Sequence, residues 1–213
     1  MEKAKYRYMV VEGPIGAGKT SLAHLLAGRN GSDLLLEEPQ SNPFLANFYQ
    51  DPRRWALATQ LFFLFQRVNQ LAGLKQLDLF ERPTVADFLF EKDPMFARLN
   101  LSDDEFALYQ RIYSHLAPQR VTPDLVIYLQ APVETLMARV RRRAASYERG
   151  LSEEYLTRLA QAYGRFFHDY DAAPLLIVNS RNLNFVDRPG DLALLLQRIS
   201  EMRGAREFFS LGP

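Results

Sequence analysis

Apolar positions along this chain follow two rhythms. Short, nearly continuous apolar runs at Tyr6 to Val11, Asp33 to Leu36, Thr84 to Ala86, Leu125 to Leu129 and Leu175 to Val178 alternate with longer stretches. Runs of that length without polar alternation suit strands buried on both faces, and the stretches between them suit helical crossovers. The pattern predicts an α/β fold: a five-stranded parallel sheet with helices on both faces. Pro52 to about Gln76 is expected to form one long helix, because proline suits a first turn and the apolar residues after it recur at helical spacing. Val133 to about Ala144 and Ser152 to His168 are further helices, the second opened by a Ser152 cap with acids in its first turn. No repeat or low-complexity linker interrupts the alternation, so residues 1–213 are expected to form a single domain.

Composition narrows the picture. A chain of 213 residues, 47% hydrophobic, can bury a full core. The absence of cysteine excludes a disulfide framework, a thiolate metal site and a thiol nucleophile. With 26 Lys+Arg against 25 Asp+Glu, the net charge of +1 gives no reason to expect a nucleic acid partner. No apolar stretch approaches the roughly 20 residues needed to cross a bilayer, so no membrane association is expected and a cytoplasmic location fits.

The junction between the first apolar run and the next helical stretch reads Gly13-Pro14-Ile15-Gly16-Ala17-Gly18-Lys19-Thr20-Ser21. Gly13, Gly18, Lys19 and Thr20 fit the GxxxxGK[ST] spacing of a phosphate-wrapping loop, with the required strand before it and helix after it. Glycines let the backbone turn its N–H groups toward an anion, at the positive end of the following helix. Gly13, Ile15, Gly16, Ala17, Gly18, Lys19, Thr20 and Ser21 are therefore expected to cradle ATP or another nucleoside triphosphate. Lys19 would bridge the outer phosphates, and the Thr20 hydroxyl would hold Mg2+.

Other residues could complete a site around that loop. The second apolar run ends in Glu37-Glu38-Pro39, which delivers carboxylates to the carboxyl edge of the sheet, beside the loop. Glu38 precedes a proline, so an extended backbone would aim it into the crevice as a base for an acceptor hydroxyl, with Glu37 on the other face. On the long helix, Gln60 and Arg67 are two turns apart and share a face with Phe63 between them, a stripe able to read a nucleobase. After the third run, Asp87 is placed to help hold Mg2+; Glu81 and Arg82 precede that run and belong at the opposite edge. The arginine-rich segment from Arg139 to Arg149 is either a solvated helix end or a lid over the triphosphate, at about residues 139–150.

With these pieces in order, the chain resembles the deoxyribonucleoside kinases, the group of deoxycytidine, deoxyguanosine and bacterial deoxyadenosine kinases. GPIGAGKTS resembles that family's phosphate loop; EEPQSNPF, FYQDPRRWALATQLFFLFQR and RVRRRAASYE resemble its strand-two acid, substrate helix and lid. The likeness covers nearly the whole chain. It implies Glu38 as general base on the 5'-hydroxyl, Tyr49 and Glu148 on the 3'-hydroxyl, and Gln60 on the base. Arg67 would pair with Asp93, and Arg139 and Arg143 would serve the donor phosphates, Arg143 catalytically with Lys19. A homodimer is implied as well.

Three departures from the family pattern stand out, one of them Gln40-Ser41, where several relatives have an aromatic or acidic residue. Asp87-Phe88-Leu89 replaces its acid-Arg-Ser triplet, leaving Lys92 to bring positive charge to the 5'-oxygen, or Arg82 in the rival frame Glu81-Arg82-Pro83. The lid reads Arg143-Ala144-Ala145-Ser146-Tyr147-Glu148 and lacks the family's second arginine. The expected activity is transfer of the γ-phosphoryl group to the 5'-hydroxyl of a deoxyribonucleoside, a purine or deoxycytidine, in nucleotide salvage. A nucleoside monophosphate kinase of the thymidylate kinase type is the nearest alternative. A P-loop switch or regulatory protein is more distant, since the chain lacks the NKxD run of guanine readers.

Overall fold

A computed structural model describes residues 5–76, 82–116 and 121–211, with side chains left aside at 74–76. The elements alternate as the apolar rhythm demands: β1 (Tyr8–Glu12), α1 (Lys19–Asn30), β2 (Asp33–Leu35), α2 (Leu45–Gln50), α3 (Pro52–Gln76), β3 (Thr84–Ala86), α4 (Asp93–Asn100), α5 (Asp103–Leu116), β4 (Leu125–Gln130), α6 (Val133–Arg143), α7 (Glu153–Asp169), β5 (Leu175–Asn179), α8 (Pro189–Glu201) and β6 (Arg206–Ser210). All pairings are parallel, in the order β2-β3-β1-β4-β5-β6. Helices cover both sides of the sheet.

The sheet has six strands where five were expected. β6 carries only Phe208 and Phe209 in a short charged run, and its positions alternate between exposed and half-buried. An edge strand shielded on one side needs no continuous apolar run, so it left no signal of the kind the other strands gave.

Two apolar clusters organise the interior. One holds the central strands with residues of α1, α6, α7 and α8. The other lies among α2, α3 and α5, with Phe88 and Phe90 from the segment after β3. The strand order reverses at β1: β3 and β2 lie to one side, β4 to β6 to the other. In such sheets the carboxyl ends at the reversal form a crevice, and the loop after β1 opens into it.

Candidate active site

The loop between β1 and α1 is pressed against its surroundings. A Cβ on Gly16 would stand 2.5 Å from the Leu136 carbonyl of α6, and the residue has φ +84°. A Cβ on Gly13 would stand 2.4 Å from the Leu129 carbonyl of β4. Only glycine fits either place. Gly18 caps α1 in the left-handed conformation with no side-chain cap, and no acid occupies the first turn, so the helix start is free to take an anion. Lys19 Nζ donates to the Gly13 carbonyl at 2.8 Å. Burial lowers its pKa, opposed by Glu12.

The loop borders two cavities. One, on the α3 side, is lined by Ile15, Gly16, Gly18, Lys19, Thr20 and Ser21 together with residues of α2, α3, α4, α7 and the segment after α6. The other lies between the loop, α6 and the segment after β5, with Ala17, Arg139, Arg142 and Phe185 in its wall. Gly13 is buried and borders neither.

Asp87 follows β3 directly and reaches the loop: the Thr20 hydroxyl donates to its Oδ2 at 2.5 Å, and the Glu37 backbone N–H to its Oδ1 at 2.7 Å. Burial raises the Asp87 pKa, and the two hydrogen bonds oppose it. A hydroxyl and a carboxylate side by side are hard oxygen donors, and Mg2+ in phosphate sites is held by one or two such groups plus substrate oxygens and water. The pair therefore fits Mg2+. Among the described residues no cluster of three or more His, Cys, Asp or Glu could hold a metal by itself.

The acid facing the α3-side cavity is Glu37, and this corrects the expectation for Glu38. Glu38 is exposed, away from the cavity lining. Strand parity would have put Glu38 inside, but β2 ends at Leu35 and the alternation ends with it. The backbone then turns at Glu38 into a 3-10 turn, Pro39–Ser41. Glu37 is instead fixed by its N–H on Asp87 and by cations: Arg67 Nε and Nη2 reach its Oε1 at 2.9 and 2.5 Å, and Lys92 Nζ lies 3.6 Å away. Burial works to raise the Glu37 pKa, yet Arg67 first, then Lys92 and Lys19, bring it down to about 2.

Gln60, Phe63 and Arg67 line the same cavity from α3. Behind them lies Asp93, fully buried at the start of α4, which accepts from Gln60 Nε2 at 2.7 Å, from the Tyr109 hydroxyl at 2.5 Å and from Arg67 Nη1. Arg67 thus bridges Glu37 and Asp93 across the cavity wall. Its guanidinium also stands 5.3 Å from the Phe63 ring.

Lys92 is 1% exposed and lines the cavity, so it, not Arg82, brings positive charge to Glu37. Arg82 is exposed just before β3, at the opposite edge; Glu81 lies outside the described residues.

Tyr49, Glu148, Arg143, Tyr147 and Tyr155 line the same cavity. Arg143 ion-pairs with Glu148 across a turn in which Ala144 adopts φ +51°, and it borders both cavities. Burial raises the Tyr49 phenol, with Tyr155 and Glu148 adding to it, so the hydroxyl stays protonated. Arg139 lies off the α3-side cavity and donates to the Ser180 hydroxyl and carbonyl, at 3.1 and 2.7 Å.

Sequence reasoning missed Glu12, Tyr163 and Thr59. Glu12 is fully buried at the end of β1, and its place between an apolar strand and the loop was the available signal. Tyr163 of α7 and Thr59 of α3 look like ordinary helix residues in sequence, yet both line the α3-side cavity. The Thr59 hydroxyl is buried and has no hydrogen-bond partner among the described residues.

Known proteins resemble this chain over most of its length. The chain is 30% identical over 200 residues to a deoxyguanosine kinase of Bacillus subtilis, covering 92% of this chain and 97% of that one. It is 28% identical to a deoxyadenosine kinase of Lactobacillus acidophilus, covering 91% and 94%. A structure of deoxyadenosine kinase from M. mycoides with bound dATP superposes with a TM-score of 0.78 at 23% identity, over 91% of this chain and 100% of that one, and shares the fold. The family profile described as deoxynucleoside kinase matches residues 9–202, and the chain belongs to that family.

Proposed function

We propose that this deoxynucleoside kinase transfers the γ-phosphoryl group of ATP or another nucleoside triphosphate to the 5'-hydroxyl of a deoxyribonucleoside, with purine deoxynucleosides preferred. One observation carries the reading. The phosphate loop, the Glu37–Lys92 pair and the Gln60–Phe63–Arg67 stripe line a single cavity, so a phosphate group, a hydroxyl and a base have adjoining places.

In this reading the loop N–H groups and Lys19 hold the donor phosphates. Thr20 and Asp87 would hold Mg2+, which supplies charge neutralisation when bound. Phosphoryl transfer asks for positioning and charge more than covalent chemistry. Glu37 orients the 5'-hydroxyl and accepts its proton late; Lys92 and Arg143 neutralise charge around the transferring group. Tyr49 and Glu148 take the 3'-hydroxyl, and Gln60 meets the base edge, backed by Asp93. Arg139 supports the donor side through the segment after β5. Residues 139–150 act as the lid of a one-domain enzyme.

The names of the relatives support a purine acceptor. No helix among the described residues is long and apolar enough to cross a membrane, in keeping with a cytoplasmic enzyme. Half-exposed Phe65 on α3 and Leu108 on α5 support a homodimer. A monophosphate kinase would need a further cation for the acceptor phosphate, and Arg82 points away from that task. Assaying the four deoxynucleosides and their monophosphates with ATP and Mg2+ tests the reading. Turnover of deoxyadenosine or deoxyguanosine, lost on chelation, is the expected result; turnover of monophosphates alone would overturn it.

A further inference from the structure

Among the charged groups given no task above, Glu12 is the most deeply placed. It ends β1 one residue before the phosphate loop, and it is 0% exposed. A buried carboxylate is tolerated when its lone pairs are occupied and its charge is matched. Here Oε1 accepts from the Gly13 N–H and from the Tyr163 hydroxyl, both at 2.8 Å. Oε2 accepts from the Leu89 N–H at 2.7 Å and lies 3.1 Å from Lys92 Nζ. The four donors come from the phosphate loop, the segment after β3, the turn before α4, and α7. Lys92 and Tyr163 border the α3-side cavity, whereas Glu12 does not.

Lys92 needs such an anchor. A lysine ammonium is a compact charge on a flexible stem, without the fixed fork that would orient a guanidinium by itself. Between Glu12 at 3.1 Å and Glu37 at 3.6 Å, its position is defined from two sides. We propose that Glu12 is a positioning residue for phosphoryl transfer: it anchors the Lys92 ammonium beside Glu37, in register with the phosphate loop that begins at the next residue. This rests on the assignment of Glu37 and Lys92 to the acceptor hydroxyl.

A double-mutant cycle tests it, with kcat, deoxynucleoside KM and ATP affinity measured for wild type, Glu12→Gln, Lys92→Met and the double variant. Glutamine keeps the shape, but its amide nitrogen accepts no hydrogen bond, so the donors on one oxygen lose their acceptor. Each single variant should lose about 10²-fold in kcat. The double should lie within about twofold of Lys92→Met alone, because Glu12 then has no cation left to hold. ATP affinity should be retained throughout. A double variant slowed by the product of the singles, a Glu12→Gln enzyme with unchanged kcat, or an ATP affinity that falls as far as kcat would each overturn the proposal. Should Glu12→Gln fail to fold, Glu12→Asp, which withdraws the charge from Lys92 by one methylene, carries the same cycle and the same criteria. A wild-type protein that phosphorylates no deoxynucleoside would overturn the functional assignment itself, and this proposal with it.

Discussion

Lys92 Nζ lies 3.6 Å from Glu37 Oε1, with Arg67 on the same carboxylate oxygen. Two buried cations on one acid keep it ionised, which suits a group that orients a hydroxyl better than one that must hold a proton. The family pattern implied an arginine after the third strand, bringing its charge to the 5'-oxygen. Here the task is divided: the point charge comes from the turn before α4 and the planar fork from α3.

Glu37→Gln should lower kcat by about 10²-fold or more while leaving triphosphate binding intact. Glu38→Gln should stay close to wild type, because that side chain is exposed and off the cavity. Steady-state kinetics with equilibrium ATP binding distinguishes the two, and the opposite ranking would return the role to Glu38.

Asp93 is the common acceptor for Gln60, Arg67 and Tyr109. Gln60 and Tyr109 share Oδ1, whereas Arg67 is on Oδ2, so Asp93→Asn with its oxygen at Oδ1 keeps the two neutral donors and turns an NH2 group toward Arg67, which is left with Glu37 alone. Breaking a buried pair from one side costs about 3–5 kcal/mol. Urea unfolding should show a loss of that order, and deoxynucleoside KM should rise because Arg67 loses one of the two carboxylates that fix it in the cavity wall.

The low Glu37 pKa of about 2 makes a signed prediction for stability against pH. A carboxylate whose folded pKa lies below its unfolded value near 4.5 contributes stability above that unfolded value. The contribution fades as pH falls from about 4.5 toward 2. Glu37→Gln should therefore be less stable than wild type at neutral pH, with the gap closing across that acid range. Thermal melts of both proteins between neutral pH and pH 3 would show the convergence; a gap that does not narrow would refute it.

At Gly16, φ is +84° and a Cβ would stand 2.5 Å from the Leu136 carbonyl. Gly16→Ala must move either the loop or the start of α6, at a backbone cost of about 1–3 kcal/mol. Calorimetric titration should find ATP affinity reduced by about tenfold or more. Deoxynucleoside affinity should change little, since the α3 stripe is built separately.

Legibility varied with how local the cause was. The loop from Gly13 to Ser21, the long helix from Pro52 and the Ser152 cap, whose hydroxyl accepts the Tyr155 N–H, are written in neighbouring residues, and each was found where expected. Asp87 was legible too, since a residue just past an apolar run must emerge at the carboxyl edge of a parallel sheet. Gln60, Phe63 and Arg67 shared a face by helical period alone. Their partner Asp93 came only from the family pattern, because Arg67 and Asp93 meet through packing between α3 and α4, which no period encodes.

The sequence by itself determined the class of fold, the triphosphate loop and the roster of acids and cations around it, because buried strands, helix stripes and glycine turns are local properties. Only the tertiary structure decided which of two adjacent glutamates faces the cavity, which cation meets it and which groups surround Glu12. Past Leu35 the period-two rule of the strand has lapsed, and the direction of Glu37 is set by an aspartate 50 positions away and by cations from α3 and the turn before α4. Glu12 likewise finds its partners 77, 80 and 151 positions along the chain. Pairings of that separation arise from how the elements stack, and so they are absent from any stretch of sequence read alone.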